Sequence, residues 1–179
     1  MSLLKVNNIQ NTSGQPNLGK IIKVTTYKQD TLSNTINSTS FQDSGFSWSI
    51  TTTQASSTIL ISLVTNISQN DTWNSGSVKW LKSVSGGSYV DLSGTSNTYT
   101  GTNFMTYRSG GSNIGSSLCI VDFDSPGASA GATIVYKLQL KQWTTSNPVR
   151  LGTSTKDGDN NNGTSQAGTT TAVFYEIAP

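Results

Sequence analysis

Asp122 and Asp124 are the two carboxylates whose spacing could support acid–base chemistry. They stand two residues apart at the end of the segment LCIVDFD, and side chains two apart on a β-strand share one face. A pair of neighbouring carboxylates can serve as acid and nucleophile in glycoside hydrolysis. The alternative is that both lie at the strand's end as solvent-facing or turn-capping groups. We favour this alternative and predict no catalytic residues, so the chain is expected not to be an enzyme.

The sequence contains no histidine and a single cysteine. Without histidine, the imidazole base of Ser-His-Asp and Cys-His sites and the commonest zinc ligand are both missing. Cys119 therefore lacks its usual activating base. We predict that it is a small buried hydrophobic residue.

The segment DGDNNNG, which begins at Asp157, resembles a calcium loop at first sight. Asp157, Asp159 and Asn161 occupy positions one, three and five. However, Asn162 occupies the position that requires glycine, and Gly168 the position of the bidentate glutamate. The segment is therefore predicted to be a polar hairpin loop, with a looser oxygen site as the open alternative. We predict no bound metal and no cofactor.

Charged residues are few and scattered along the chain. Of 179 residues, 11% are charged and 33% hydrophobic, and the formal net charge is +2. No basic stripe appears, so nucleic acid is not expected as a partner. No apolar run approaches the roughly 20 residues of a membrane helix, and the apolar part of MSLLKVNN is too short for a secretion signal. We therefore expect no membrane insertion, and release from a cell only by lysis or within a particle.

Alternating apolar residues predict β-strands that would position these groups. In FSWSITT, the residues Phe46, Trp48 and Ile50 alternate with Ser and Thr, which is typical of a half-buried strand. ATIVYKLQLKQW alternates in the same way. The uncharged, β-branched run from Thr58 to Ile67 predicts a central buried strand. Because the link TQASS is short, we expect this strand and FSWSITT to be close neighbours, with ATIVYKLQLKQW in the same sheet.

The whole chain is predicted to be an all-β, antiparallel β-sandwich of the jelly-roll type. Eight to ten short strands separated by turn residues indicate this class, and no convincing helix signal occurs. Residues 93–117 are predicted to be loop-like. Residues 20–179 form the predicted head domain, and residues 1–19 an extended leader. Leu4, Val6 and Ile9 are the apolar residues of this leader, and we expect them to attach it to another surface.

Several aromatic residues fall in or next to predicted loops and are candidates for binding. Amphipathic rings on exposed loops are common in sugar and protein recognition. The alternative is that they cap the ends of the core or pack between subunits. The candidate binding residues are Trp73, Tyr89, Tyr99, Tyr107 and Arg108.

The succession of segments LKVNNIQNTSG, GKII, STILISLV, VYKLQLK and FYEIA resembles the C-terminal head domain of tail fibre and other virion proteins of tailed phages, notably marine ones. The resemblance implies a jelly roll similar to the C1q and tumour-necrosis-factor heads, assembled as a homotrimer on a virion. A long fibre would carry a stalk before the leader, whereas Met1 stands directly before it. A short fibre, knob or capsid-surface component held through the leader is therefore expected.

On this basis, the chain is expected to be a virion structural protein that binds the host surface, a glycan or a protein, through its loops. One alternative is a decoration or cement protein that contacts only other virion subunits. Another, of a different class, is a carbohydrate-binding module or weak glycosidase using Asp122 and Asp124. In a trimer, either Ile59 and Ile61 or Leu60 and Val64 would lie near a subunit interface.

Overall fold

The computed structural model describes residues 20–69, 73–92, 102–107, 116–142, 149–152 and 168–179. These residues form ten strands and no helix, which confirms the predicted all-β class. The strands are β1 (Ile21–Gln29), β2 (Gln42–Thr51), β3 (Thr58–Gln69), β4 (Trp73–Val84), β5 (Val90–Asp91), β6 (Thr102–Tyr107), β7 (Ser116–Asp124), β8 (Thr133–Gln142), β9 (Val149–Leu151) and β10 (Thr170–Ile177).

The strands form two antiparallel sheets. The first, here called the β3 sheet, has the order β1-β10-β3-β7, and β9 also pairs with β3. The second, the β8 sheet, has the order β2-β8-β4-β5, and β6 also pairs with β4. The pairing is nested, since β1 pairs with β10, β2 with β8, β3 with β7 and β4 with β5. This nested pairing of strands early in the chain with strands late in the chain is the jelly-roll arrangement.

The core lies between the two sheets and follows the alternation of the sequence. Every second residue of β2 and of β8 is buried, as predicted from FSWSITT and ATIVYKLQLKQW. At its centre is an aromatic cluster whose contacting ring centroids lie 5.3 to 6.4 Å apart. Its members come from both sheets and are Trp48, Trp80, Tyr136 and Phe174. Such ring pairs add to the stability gained from apolar burial.

The predicted neighbours of β3 were wrong. We expected β2 and β8 in the same sheet as β3, but they belong to the opposite sheet and face β3 across the core. The reason is the link after β2, which crosses the end of the sandwich. Thr52 donates from its backbone N–H to the carbonyl of Ala132 at 3.0 Å, and Ser56 donates to that of Ala128 at 2.9 Å. These bonds tie the link to the turn between β7 and β8, so β3 starts in the other sheet.

The prediction of a loop over residues 93–117 was wrong in part. Within that range, β6 occupies Thr102–Tyr107 and pairs with β4, and β7 already begins at Ser116. The β6 residues pair in register along the first half of β4, from Trp73 opposite Tyr107 to Val78 opposite Thr102. A sequence with so many Gly, Ser and Asn neighbours gives little strand signal, so the tertiary pairing decides the structure.

Candidate interaction surface

The outer face of the β3 sheet carries apolar residues in register across four strands. In one row, Val24 of β1 lies opposite Tyr175 of β10, Tyr175 opposite Leu60 of β3, and Leu60 opposite Phe123 of β7. A second row contains Val173 and Val121, and a third contains Val64 and Cys119. We call these three rows the apolar face; their members are Val24, Thr26, Lys28, Thr171, Val173, Tyr175, Leu60, Ser62, Val64, Cys119, Val121 and Phe123.

Large side chains of this face are open to solvent. Phe123 is 63% exposed, Val121 60%, Val24 53% and Val64 48%. Among the twelve residues of the apolar face, only Lys28 is charged, and it lies at the edge on β1. The largest apolar patch on a soluble monomer is often a functional site. The face is therefore the strongest candidate for contact with another molecule.

The dimensions of the apolar face match the centre of a protein interface. Strands spaced about 4.8 Å apart and rows separated by two residues give a projected area on the order of 300 to 400 Å². A stable interface buries about 800 Å² from each partner, with an apolar centre and a polar rim. The apolar face therefore supplies about half of such an interface, and the strand ends and flanking residues would supply the rim.

An early signal of this face lies in the sequence of β3. In β3, Ile59, Ile61 and Leu63 are fully buried, while Leu60 and Val64 alternate with them and point outward. A strand that is apolar on both sides normally has cover on both sides. Of the two pairs predicted near a subunit interface, Leu60 and Val64 therefore lie on the outer face, and Ile59 and Ile61 lie in the core.

The predicted burial of Cys119 was wrong. Its thiol lies on the apolar face and is exposed. The error arose because LCIVDF is apolar on both sides, so the sequence alone does not tell which side faces the core. Leu118 and Ile120 are buried, whereas Val121 and Phe123 face outward with Cys119.

The outer face of the β8 sheet has the opposite character. Lysines of β4 and β8 lie there and are paired with acidic and aromatic groups. Lys79 contacts Asp91 at 3.1 Å, and the Nζ atoms of Lys79 and Lys141 lie 4.6 and 4.9 Å from the ring centroid of Phe41. Such cation–π contacts hold charged groups against aromatic rings. The sandwich thus has one apolar and one charged outer face.

The predicted binding aromatics fall on different parts of this framework. Tyr89 follows the turn after β4, is 44% exposed and has the Nζ of Lys137 4.2 Å from its ring centroid. Trp73 begins β4 and Tyr107 ends β6, and the two residues pair in register. The remaining candidates, Tyr99, Arg108, Leu4, Val6 and Ile9, lie outside the described residues, as does the loop that begins at Asp157.

Asp124 is engaged in a buried polar cluster. The Nζ of Lys82 donates to its Oδ1, and the hydroxyl of Tyr136 donates to its Oδ2 at 2.8 Å. Burial, assisted by the charge of Asp124 and this hydrogen bond, raises the pKa of Tyr136 well above its usual range. Asp124 is only 5% exposed, so its predicted solvent-facing position was wrong. Asp122 instead accepts a hydrogen bond from the backbone N–H of Phe123 at 2.8 Å.

Glu176, the one glutamate of the sequence, also points into the sandwich and is 3% exposed. Its Oε1 accepts hydrogen bonds from the backbone N–H groups of Thr53 and Gln54 at 2.6 and 3.0 Å, and from the hydroxyl of Ser57 at 2.9 Å. Burial raises the pKa of Glu176, but these hydrogen bonds outweigh burial and hold the pKa below its usual range. The carboxylate thus ties β10 to the link between β2 and β3.

The described residues offer no metal site. Within the described ranges, no three His, Cys, Asp or Glu side chains are grouped in a way that could hold a metal ion. The same ranges contain no helix that is long and apolar enough to cross a membrane.

No protein-family model matches the sequence, and no curated protein matches it significantly. The function is therefore argued from the surfaces described above.

Proposed function

We propose that this chain is a non-enzymatic structural and attachment protein of a phage particle, assembled as a homotrimer through the apolar face. The single observation that carries the proposal is the row of Val24, Tyr175, Leu60 and Phe123 across the β3 sheet, in which Val24 and Phe123 are exposed and Tyr175 and Leu60 half-buried in the single chain. Covering this row removes apolar surface from water, at about 25 cal/mol for each Å².

A second copy of the chain fits this face better than a charged or flexible partner. The face contains one charged residue at its edge, so it has little to attract a strongly charged partner. Most soluble oligomers are assemblies of identical chains with closed symmetry. That the assembly contains three copies comes from the resemblance to phage head domains. The nested jelly-roll pairing of the strands supports this resemblance.

The remaining surface would then meet the host. With the apolar face buried between copies, the charged outer face of the β8 sheet, which carries Tyr89, would point away from the assembly. The leader with Leu4, Val6 and Ile9 would hold the trimer on the particle. The glycosidase alternative receives no support from Asp124, because both of its oxygens are engaged inside the sandwich.

Light scattering of the purified chain tests the assembly. The expected result is the mass of three 19.0 kDa chains, held over a wide dilution range. A monomer at all concentrations would overturn the proposal. Antibody labelling of phage particles should place the protein on their surface, and unlabelled particles would contradict the virion role.

Binding to cells distinguishes attachment from decoration. An attachment protein should bind intact host cells in a pull-down. A decoration protein should bind only particles from which it has been removed. Retention by depleted particles together with no retention by cells would overturn the attachment role and favour the cement alternative.

A further inference from the structure

A polar groove lies beside the first residues of β2, the edge strand of the β8 sheet. Its cavity volume is about 540 Å³, which is within the range of small-molecule sites. It is formed by the segment that connects β1 to β2 and by the start of β2. Its polar lining consists of Asn34, Thr35, Asn37, Ser38, Gln42 and Asp43.

The groove is held in shape by its backbone. Ile36 is 4% exposed and anchors the connecting segment in the core, where its backbone exchanges two 2.9 Å hydrogen bonds with Val149. The N–H of Asn34 donates to the carbonyl of Ser44 at 2.7 Å, and that of Gln142 to the carbonyl of Ser38 at 2.8 Å. A site fixed in this way loses little conformational entropy when a ligand binds.

The lining groups match a ligand that is rich in hydroxyls. Side-chain amides offer both donors and acceptors, and hydroxyl groups do the same. Three amides (Asn34, Asn37 and Gln42) are exposed on the groove together with the carboxylate of Asp43. Each sugar hydroxyl also donates and accepts, so neighbouring hydroxyls on a ring pair well with such a set.

Charge in the groove favours a neutral ligand. The Nζ of Lys137 lies 2.8 Å from Oδ2 of Asp43 and compensates its charge. Burial raises the pKa of Asp43, but the hydrogen bonds from Lys137 and from the N–H of Gly45 outweigh it and hold the pKa low. Asp43 is therefore ionised at neutral pH, and its ion pair with Lys137 leaves this part of the groove without net charge.

An exposed aromatic ring adjoins the polar groups. The same Nζ of Lys137 that contacts Asp43 lies 4.2 Å from the ring centroid of Tyr89. Tyr89 is thus held close to the carboxylate end of the groove while 44% of it stays exposed. An amphipathic ring beside hydrogen-bonding groups can accept the C–H face of a sugar while the groove binds its hydroxyls.

We propose that the groove formed by Asn34, Asn37, Gln42 and Asp43, together with the ring of Tyr89, is a binding site for a neutral saccharide. This assignment rests on the attachment role proposed above and specifies the class of host-surface molecule that would be bound. None of the site's residues belongs to the twelve residues of the apolar face, so contact through that face does not use them.

Saturation-transfer NMR with the full chain tests the site. The probes are the methyl glycosides of glucose, galactose, mannose and N-acetylglucosamine, with methyl glucuronide as the anionic comparison. At least one neutral glycoside is expected to receive saturation, most strongly at ring C–H protons. Gln42→Ala should weaken its binding about fivefold, the effect of one lost hydrogen bond, and Tyr89→Ala should reduce the ring-proton signal.

Gln54→Ala is the matched control, because Gln54 is an exposed glutamine just beyond the other end of β2, about 30 Å from Gln42. The proposal is overturned if no neutral glycoside receives saturation, if Gln42→Ala and Gln54→Ala bind alike, or if the glucuronide binds best. Light scattering and cell binding on the same samples separate the failures. A trimer that adheres to cells equally with and without Gln42→Ala refutes the groove and leaves the attachment role standing.

Discussion

Phe123 is the side chain whose removal tests the proposed subunit interface most directly. It is 63% exposed, and a phenylalanine presents roughly 200 Å², so about 125 Å² of apolar surface would be covered on assembly. At about 25 cal/mol for each Å², this burial contributes about 3 kcal/mol for each subunit. Phe123→Ala should therefore weaken association about 100-fold, since a factor of ten corresponds to about 1.4 kcal/mol.

The folded subunit itself should tolerate Phe123→Ala. The side chain is outside the core, so its removal leaves no cavity, and exposed substitutions change stability by about 0.5 kcal/mol or less. Sedimentation velocity over a dilution series measures the effect as a shift of the dissociation midpoint to higher concentration. Tyr89→Ala is the matched control, because Tyr89 is an exposed aromatic residue on the other face. It should leave the midpoint unchanged.

Two results would refute this reasoning. If Phe123→Ala and Tyr89→Ala shift the midpoint equally, the apolar face is not the interface. If Phe123→Ala lowers the unfolding midpoint of the monomer by as much as a core truncation does, the side chain acts within the subunit. Val121→Asp serves as an independent probe on the same face. A charge at this 60% exposed position should abolish association while leaving the monomer folded.

Three further predictions concern the interior and the turns. Asp124→Ala should cost about 3 to 5 kcal/mol of unfolding free energy in urea, because it leaves the Lys82 ammonium without its buried partner; a Lys82→Met, Asp124→Leu double variant should recover most of it. The pKa of Glu176 is lower in the folded than in the unfolded state. The ionised carboxylate therefore stabilises the fold above the unfolded-state pKa near 4.5, and this stabilisation is lost as the pH falls through the folded-state pKa. In that acid range, the thermal midpoint of the wild type should fall relative to that of Glu176→Gln. Gly152→Ala should be more destabilising than Gly127→Ala. Both glycines have positive φ (82° and 63°), which costs about 1 to 3 kcal/mol for other residues. At Gly152, however, the added Cβ would also lie 2.8 Å from a backbone oxygen.

Each of these predictions has a contrary outcome. Equal stability of the Asp124→Ala variant and the wild type would mean that Lys82 reaches water without its partner. Parallel pH profiles for the wild type and Glu176→Gln would mean that the carboxylate has the same pKa folded and unfolded. Equal losses for the Gly152→Ala and Gly127→Ala variants would mean that the backbone near Gly152 moves away from the added methyl group.

The strands that alternate cleanly were predictable from the sequence. Phe46, Trp48 and Ile50 alternate with hydroxyl residues, so the pattern alone determines both the strand and its buried side. The sheet that each strand joins was not predictable in the same way. After a link as short as the one that follows β2, the next strand can pair with β2 or join the other sheet. Here hydrogen bonds from the link to Ala128 and Ala132 direct β3 into the other sheet.

Two features of the candidate sites lay beyond the sequence pattern. Phe123 and Cys119 alternate with buried Ile120 in a segment that has apolar residues on both sides, so only the pairing with β3 shows which side faces outward. The groove brings Gln42 and Asp43 beside Asn34 because the connecting segment bonds to Ser44 and, far along the chain, to Val149. Such long-range contacts have no local signature.

The nested strand pairing also sets the order of events during synthesis of the chain. β10 is the last described strand to leave the ribosome, yet it lies between β1 and β3 and carries Tyr175 in the middle of the apolar row. Until β10 inserts, β1 has no neighbour in its sheet, and long-range pairing of this kind is slow. The complete apolar face therefore forms only after β10 has inserted. An assembly through this face, as proposed above, would be restricted to chains in which β10 is in place, and this restriction would protect growing chains on one messenger from premature association.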